Sequence, residues 1–320
     1  LAREVATYAE HRLSTYLYES GRELKELYRG NGNSWTGLLR RAGLLNGEPP
    51  EGEAALLKRV PAFLHVDDPL RVDAYTRMLE DDAPSYGELD ERGQAYARML
   101  FFQLWPLGGV TRKGFKDYDT GFAALRAQHA VRSELRQVLE YNLAHTEHVP
   151  IPLLGIGGQT GLPLTIHASY SREEILPALG QSYIGGFMPG DFREGVKWCE
   201  SAKTDALMIT LDKDDKDFSP QTRYHDYALS ETLFHWESQN QTSATSATGL
   251  RYQHHKAEGS HVLLFVRRYK STDIGGAQPW MLLGPAEYVE HKGSKPMAIT
   301  WKLAHEIPAD VWTYSAIAAG

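Results

Sequence analysis

The residues whose types and spacing can do chemistry crowd into one stretch, Tyr224 to Ser243. Those twenty residues include two Tyr, one Phe, one Trp, two His, one Asp and two Glu, and they end in amides and hydroxyls. The mixture is too polar for a plain core strand and too aromatic for a plain surface loop. Read as a strand, it sets Phe234, Trp236 and Ser238 on one face and Leu233, His235, Glu237 and Gln239 on the other. One face then packs a core while the other meets a ligand. Tyr224 and Tyr227 bracket Asp226, so a carboxylate stands between two aromatic walls. That arrangement stacks a flat ring and accepts from its amino edge. Cytosine presents such an edge at its 4-amino group, and a flipped base is read by stacking combined with edge hydrogen bonds. The expected base pocket is therefore Tyr224, Asp226, Tyr227, His235, Trp236, Ser238 and Gln239. The same residue types equally suit a structural role, with Tyr224, Phe234 and Trp236 in a core and Asp226 in a turn.

Cationic side chains follow closely in sequence. Arg251, Lys256, Arg267 and Arg268 are the expected phosphate contacts, although a solvated face would look the same. Asp212, Asp214, Asp215 and Asp217 read as a charged turn, because the interleaved lysines and the missing Gly and terminal Glu argue against a calcium loop. His254, His255 and His261 lack ligand spacing. No Walker-type loop, G-x-G-x-x-G or G-x-S-x-G occurs. These absences predict no catalytic residue, no metal and no cofactor. The alternatives are a metal-dependent nuclease using Asp226, Glu231 and Glu237, or a module that docks a protein without touching DNA.

The elements that must position these residues divide into two regions. Residues 1–150 read as a helical connector or scaffold. Asn33-Ser34 caps a helix from Trp35, Asp68-Pro69 starts another, and longer helices are expected around Glu91–Trp105 and Tyr118–Leu143. Pro150 to Pro163, rich in Pro and Gly, marks a boundary. Residues 160–320 read as a β-rich domain for DNA recognition. Ser171 to Glu174 is a capping box, Ala206–Leu211 is a buried-type strand, and further strands are expected at Thr232–Ser238, His261–Tyr269, Trp280–His291 and Pro296–Leu303. The expected fold is α+β, a helical bundle followed by a β-rich, barrel-like domain.

Composition bounds the rest. The 320 residues are 42% hydrophobic and 23% charged, ordinary for a globular chain. No apolar run is long enough to span a membrane, and no secretory leader is visible. The single cysteine, Cys199, excludes a disulfide framework and fits a reducing cytoplasm. A net charge of −7 argues against a general polyanion binder, so DNA contacts would have to come from local patches.

Several segments are similar to one family in the same order. They are His167-Ala168-Ser169-Tyr170-Ser171-Arg172-Glu173-Glu174, Phe218-Ser219-Pro220, Tyr224-His225-Asp226-Tyr227-Ala228, Leu233 to Gln239, Gly249-Leu250-Arg251-Tyr252, Leu282-Leu283-Gly284-Pro285 and Gly293 to Met297. Together they resemble the uncharacterised C-terminal domain that closes many bacterial superfamily-2 helicase–nucleases, including SauUSI-type type IV restriction enzymes. The resemblance implies a non-catalytic part that reads 5-methyl or 5-hydroxymethyl cytosine in double-stranded DNA by base flipping. The implied fold is similar to SRA and PUA-like barrels, and the implied partners are the helicase and nuclease domains of a parent protein. Motor and nuclease motifs are missing from this chain, which is then either a fragment or a stand-alone reader.

Overall fold

The computed structural model describes every residue except 9, 31–32, 110, 112, 158–160, 213–225 and 318–320. Helices fill the first half, each begun by local side-chain chemistry. Ser34 caps Trp35–Arg41 by accepting from the Gly37 amide at 3.0 Å. Asp68 caps Pro69–Met78, with proline at the first helical position where no amide hydrogen is needed. Asp90 caps Glu91–Leu104 and Asp117 caps Tyr118–Arg126 in the same way. The long helix expected from Tyr118 to Leu143 is two helices, Tyr118–Arg126 and His129–Ala144. Gln128 divides them. Its backbone is not helical, and its buried side chain donates to the Glu51 carbonyl at 2.8 Å.

The strands are β1 (Ile151–Pro152), β2 (Thr165–Ile166), β3 (Ser169–Tyr170), β4 (Val196–Cys199), β5 (Thr204–Thr210), β6 (Tyr227–Ala228), β7 (Leu233–Glu237), β8 (His261–Arg267), β9 (Trp280–Lys292) and β10 (Ala298–Leu303). β1 and β2 form a small pair, and the other eight strands form one mixed sheet in the order β4-β5-β8-β9-β10-β7-β6, with β3 beside β9. Only β5 and β8 run parallel. The long β9 pairs with β3 and β8 over its first part and with β10 over its second, so it joins two groups of strands. Gly284, opposite Leu264 near the end of the first part, has φ +112°, a conformation that L side chains rarely adopt.

The barrel expectation is corrected here: the fold is α+β, but the sheet is open, and among the described residues its end strands β4 and β6 do not pair. The reason lies in β5 and β8, which are apolar on both faces. Leu207, Ile209, Val262, Leu264 and Val266 face one cluster with Trp236 and Trp301. Ala206, Met208, Leu263 and Phe265 face a larger cluster that includes Leu13, Phe101 and Leu139 from the helices. Such strands need a cover on each side, and the helices supply one. The larger core therefore runs across the Pro/Gly-rich segment at 150–163. Among the described residues no helix is long and apolar enough to cross a membrane.

A buried charge cluster stitches the helices to the sheet. Arg71 is fully buried. Its Nη1 donates to Glu174 at 3.0 Å, its Nη2 to Asp67 at 3.1 Å, and its Nε lies 2.9 Å from Asp68. The guanidinium also sits 4.2 Å from the centre of the Tyr170 ring. Glu174, in the capping box of Arg172–Ala178, further accepts from Tyr75 at 2.8 Å and from the Ser171 amide at 2.9 Å, with His65 at 2.5 Å. Burial alone would raise the Glu174 carboxyl, but the charges of Arg71 and His65 and these hydrogen bonds outweigh it and hold the group at about 2.

Breaking a buried pair by removing one partner typically costs about 3–5 kcal/mol. Glu174→Gln is expected to lose about that much unfolding free energy at pH 7 by urea titration. A carboxyl held below its unfolded value stabilises above that value and loses the contribution as pH falls through the folded one. The gap between wild type and Glu174→Gln should therefore close as pH falls from about 4.5 to about 2. A gap that stays constant over that range would contradict the charge assignment.

Candidate functional site

The second group of strands buries one face of the sheet and leaves the other partly exposed. β7 alternates, with Phe234 and Trp236 buried and Leu233, His235 and Glu237 partly exposed. β10 repeats the alternation, burying Ile299, Trp301 and Leu303. Tyr227 pairs with His235, His235 with Thr300, and Thr300 with Glu290, so these four make one row across β6, β7, β10 and β9. At the end of that row the Tyr227 and His235 rings stack, with centroids 4.8 Å apart and planes 30° from parallel. The helices that cover β5 and β8 do not form strand-side core with this row, and the row lies on neither apolar cluster. An aromatic pair on an accessible sheet face can stack a further flat ring.

The expected base-pocket residues part company here. Tyr224 lies outside the described residues. Tyr227 and His235 share the outer row. Trp236 is in the core, edge-on to Tyr252 with centroids 5.6 Å apart. Ser238 is fully buried, where its hydroxyl accepts from the Met297 amide at 2.8 Å. Asp226 is also buried, and one carboxylate oxygen accepts from the Glu237 amide at 2.9 Å, tying the start of β6 to the end of β7. Gln239 is exposed just beyond β7.

The expected phosphate contacts all have partners within the chain. Arg251 forms a two-pronged pair with Asp205 at 2.7 and 2.9 Å and lies over the Trp198 ring. Lys256 meets Glu287 at 2.8 Å on the surface. Arg267 is buried, donating to Thr210 and the Gln278 carbonyl while covering the Trp280 ring at 3.8 Å. Arg268 pairs with Asp212 at 3.0 Å. Of the acidic turn expected at Asp212 to Asp217, all but Asp212 lies outside the described residues. Among the described residues no group of three or more His, Cys, Asp or Glu can hold a metal, so Asp226, Glu231 and Glu237 do not form one.

One histidine outside the expected pocket has a distinctive place. His167 follows β2 with φ +67°, the left-handed region where a side chain costs energy. It lines a cleft of about 810 Å³ with His148, His305, Glu231 and Trp312. Its Nε2 is buried without a hydrogen-bond partner among the described residues. Burial, followed by the neighbouring His305 and His148, lowers its pKa. Backbone strain gives no sequence signal, so spacing could not have found this residue.

Residues 164–315 match the family model described as a domain of unknown function, DUF3427. The matched stretch is slightly less than half of the 320 residues. It contains β2 to β10, and so the whole outer row. No curated protein matches the chain.

The two faces of β7 predict opposite behaviour on truncation. Trp236→Ala should cost about 3–5 kcal/mol of unfolding free energy, as large core aromatics do. Tyr227→Ala should cost less than about 1 kcal/mol, because it loses only a surface stack. Urea unfolding of the two variants checks this, and equal losses would overturn the assignment of faces.

Proposed function

We propose that this chain is the nucleic-acid recognition module of a helicase–nuclease of the restriction or defence kind, with the solvent-facing strands β6, β7, β10 and distal β9 as its reading surface. The observation that carries this reading is the Tyr227–His235 stack at the end of an accessible cross-strand row. Stacking on such a pair is tolerant of sequence and is worth about 1–3 kcal/mol per base. Glu237 and Glu290 stand on the same side, where a carboxylate can accept from a cytosine amino group. The finer expectation is a flipped 5-methyl or 5-hydroxymethyl cytosine in duplex DNA, with the base taken up by Tyr227 and His235 rather than by the core residue Trp236. The resemblance to the C-terminal part of SauUSI-type enzymes supports the choice of ligand, and residues outside this chain would supply motor and nuclease.

A second reading, docking of a protein partner, is favoured by the exposed Val289 beside Glu287 and Glu290 on β9. Fluorescence anisotropy separates the two. Labelled duplexes with modified cytosine should bind more tightly than unmodified ones, and a double variant Tyr227→Ala, His235→Ala should weaken binding by about 10-fold or more. Affinity should also fall as salt rises, since phosphate contacts release counterions. Equal affinity for all duplexes that the double variant leaves unchanged would sink base reading, and no binding to any duplex would favour docking.

A further inference from the structure

A polar groove lies elsewhere, between the helix Glu91–Leu104 and the end of the sheet where β4 turns into β5 and β8 begins. It encloses about 740 Å³, within the range of small-ligand sites. Arg92 and Arg98 reach it from the helix, and Lys203 and His261 from the sheet. The cations of this groove differ from several others of the chain. Arg40, Arg71, Arg132, Arg136, Arg251 and Arg268 each hold a carboxylate. Arg92, Arg98 and Lys203 form no salt bridge among the described residues, although Glu91 also lines the groove. Arg98 donates through one nitrogen to the Tyr86 hydroxyl at 2.7 Å, which orients the rest of its fork.

Ser182 supplies a separate indication. It lines the groove and is fully buried, yet its hydroxyl has no hydrogen-bond partner among the described residues. Leaving such a group unsatisfied costs about 1–3 kcal/mol, and an oxygen-rich ligand would satisfy it. The walls are aromatic. Tyr86 and Tyr118 lie with centroids 4.4 Å apart, fixed by Arg98 on one phenol and by the Ile184 amide on the other. Tyr183 is half exposed at the mouth. On the rim Gly155, Gly157 and Gly161 all have φ between +69° and +89°, which keeps side chains off the approach.

From these observations we infer that the groove binds a phosphate-bearing ligand, a nucleoside phosphate whose phosphate meets Arg92, Arg98, Lys203 and Ser182 and whose base lies against the tyrosines. Guanidinium and ammonium groups that hold no carboxylate among the described residues, with an unsatisfied hydroxyl, match phosphate oxygens, and flat aromatic walls match a base. Burial, first among the causes, lowers the His261 pKa, so the imidazole serves as a neutral hydrogen-bonding group and the three cations carry the charge. The same phosphate chemistry is offered by a free nucleotide and by a nucleic-acid strand, and the test separates them. The inference does not depend on the outer row of the sheet, which is formed by different strands.

Isothermal titration of the full chain with adenosine 5′-monophosphate, inorganic phosphate, adenosine and a single-stranded oligonucleotide decides the matter. The monophosphate is expected to bind and adenosine to bind at least about 10-fold more weakly. Arg92→Gln and Lys203→Gln, both away from the core, should each weaken the monophosphate by about 10-fold. Ser182→Ala should weaken it several-fold while leaving thermal unfolding unchanged or slightly raised, an outcome that a structural role for the hydroxyl would not give. Binding of the oligonucleotide but not of the monophosphate or phosphate, sensitive to the same variants, supports phosphate recognition and assigns the source to the strand. Adenosine binding as tightly as its phosphate, or no phosphate-bearing probe binding, overturns the inference. The Tyr227→Ala, His235→Ala variant should retain wild-type monophosphate affinity, so failure of the reading surface leaves this site standing.

Discussion

Everything beyond the helices is hung on one buried guanidinium. Arg71 comes from a helix of the first half, Asp68 caps that same helix, and Glu174 caps the first helix of the second half. Joining them makes each cap part of the contact between regions. A charge of this kind is tolerated in an apolar interior only when it is well paired and hydrogen-bonded. Tyr75, Tyr170, His65 and backbone amides add to the three carboxylates here. The geometry needs both halves in place, which fixes where β3 begins and how its partner β9 is presented to the rest of the sheet.

From that anchor the sheet divides by its faces. Where the helices reach, β5, β8 and the start of β9 are buried on both sides. Past Gly284 the helices of the first half no longer cover the sheet, and the strands revert to one buried face, which the helix Ala247–His254 helps to cover, and one partly exposed face. The buried face holds Trp236, Trp301, Tyr252 and Phe234 in the smaller core. The wet face holds the Tyr227–His235 pair. The aromatic richness of this region thus serves two purposes, and strand parity decides which ring has which.

Much of this was legible in the sequence. The caps at Ser34, Asp68 and Ser171, the strands around 206–211, 261–267 and 280–292, and the alternation of β7 all follow from local patterns, which depend only on neighbours a few residues away. The sheet's openness was not legible, because it turns on what covers β5 and β8 from more than a hundred residues earlier in the chain. Nor could composition tell that Ser238 satisfies the Met297 amide or that Asp226 holds the Glu237 amide, since each is a partnership across a strand pair. The groove was invisible for the same reason. Arg92, Arg98, Ser182 and Lys203 are scattered through the sequence, and only the fold brings them to one groove.

The account turns on the wet face of β6, β7, β10 and distal β9 being the surface that engages a ligand. Hydrogen–deuterium exchange of the chain with and without saturating duplex bearing 5-methylcytosine tests that most directly. The account predicts slowed exchange in peptides covering 226–237 and 286–303, with the helix 129–144 unchanged. Unaltered exchange in those two segments, with protection confined to other parts of the molecule, would contradict it.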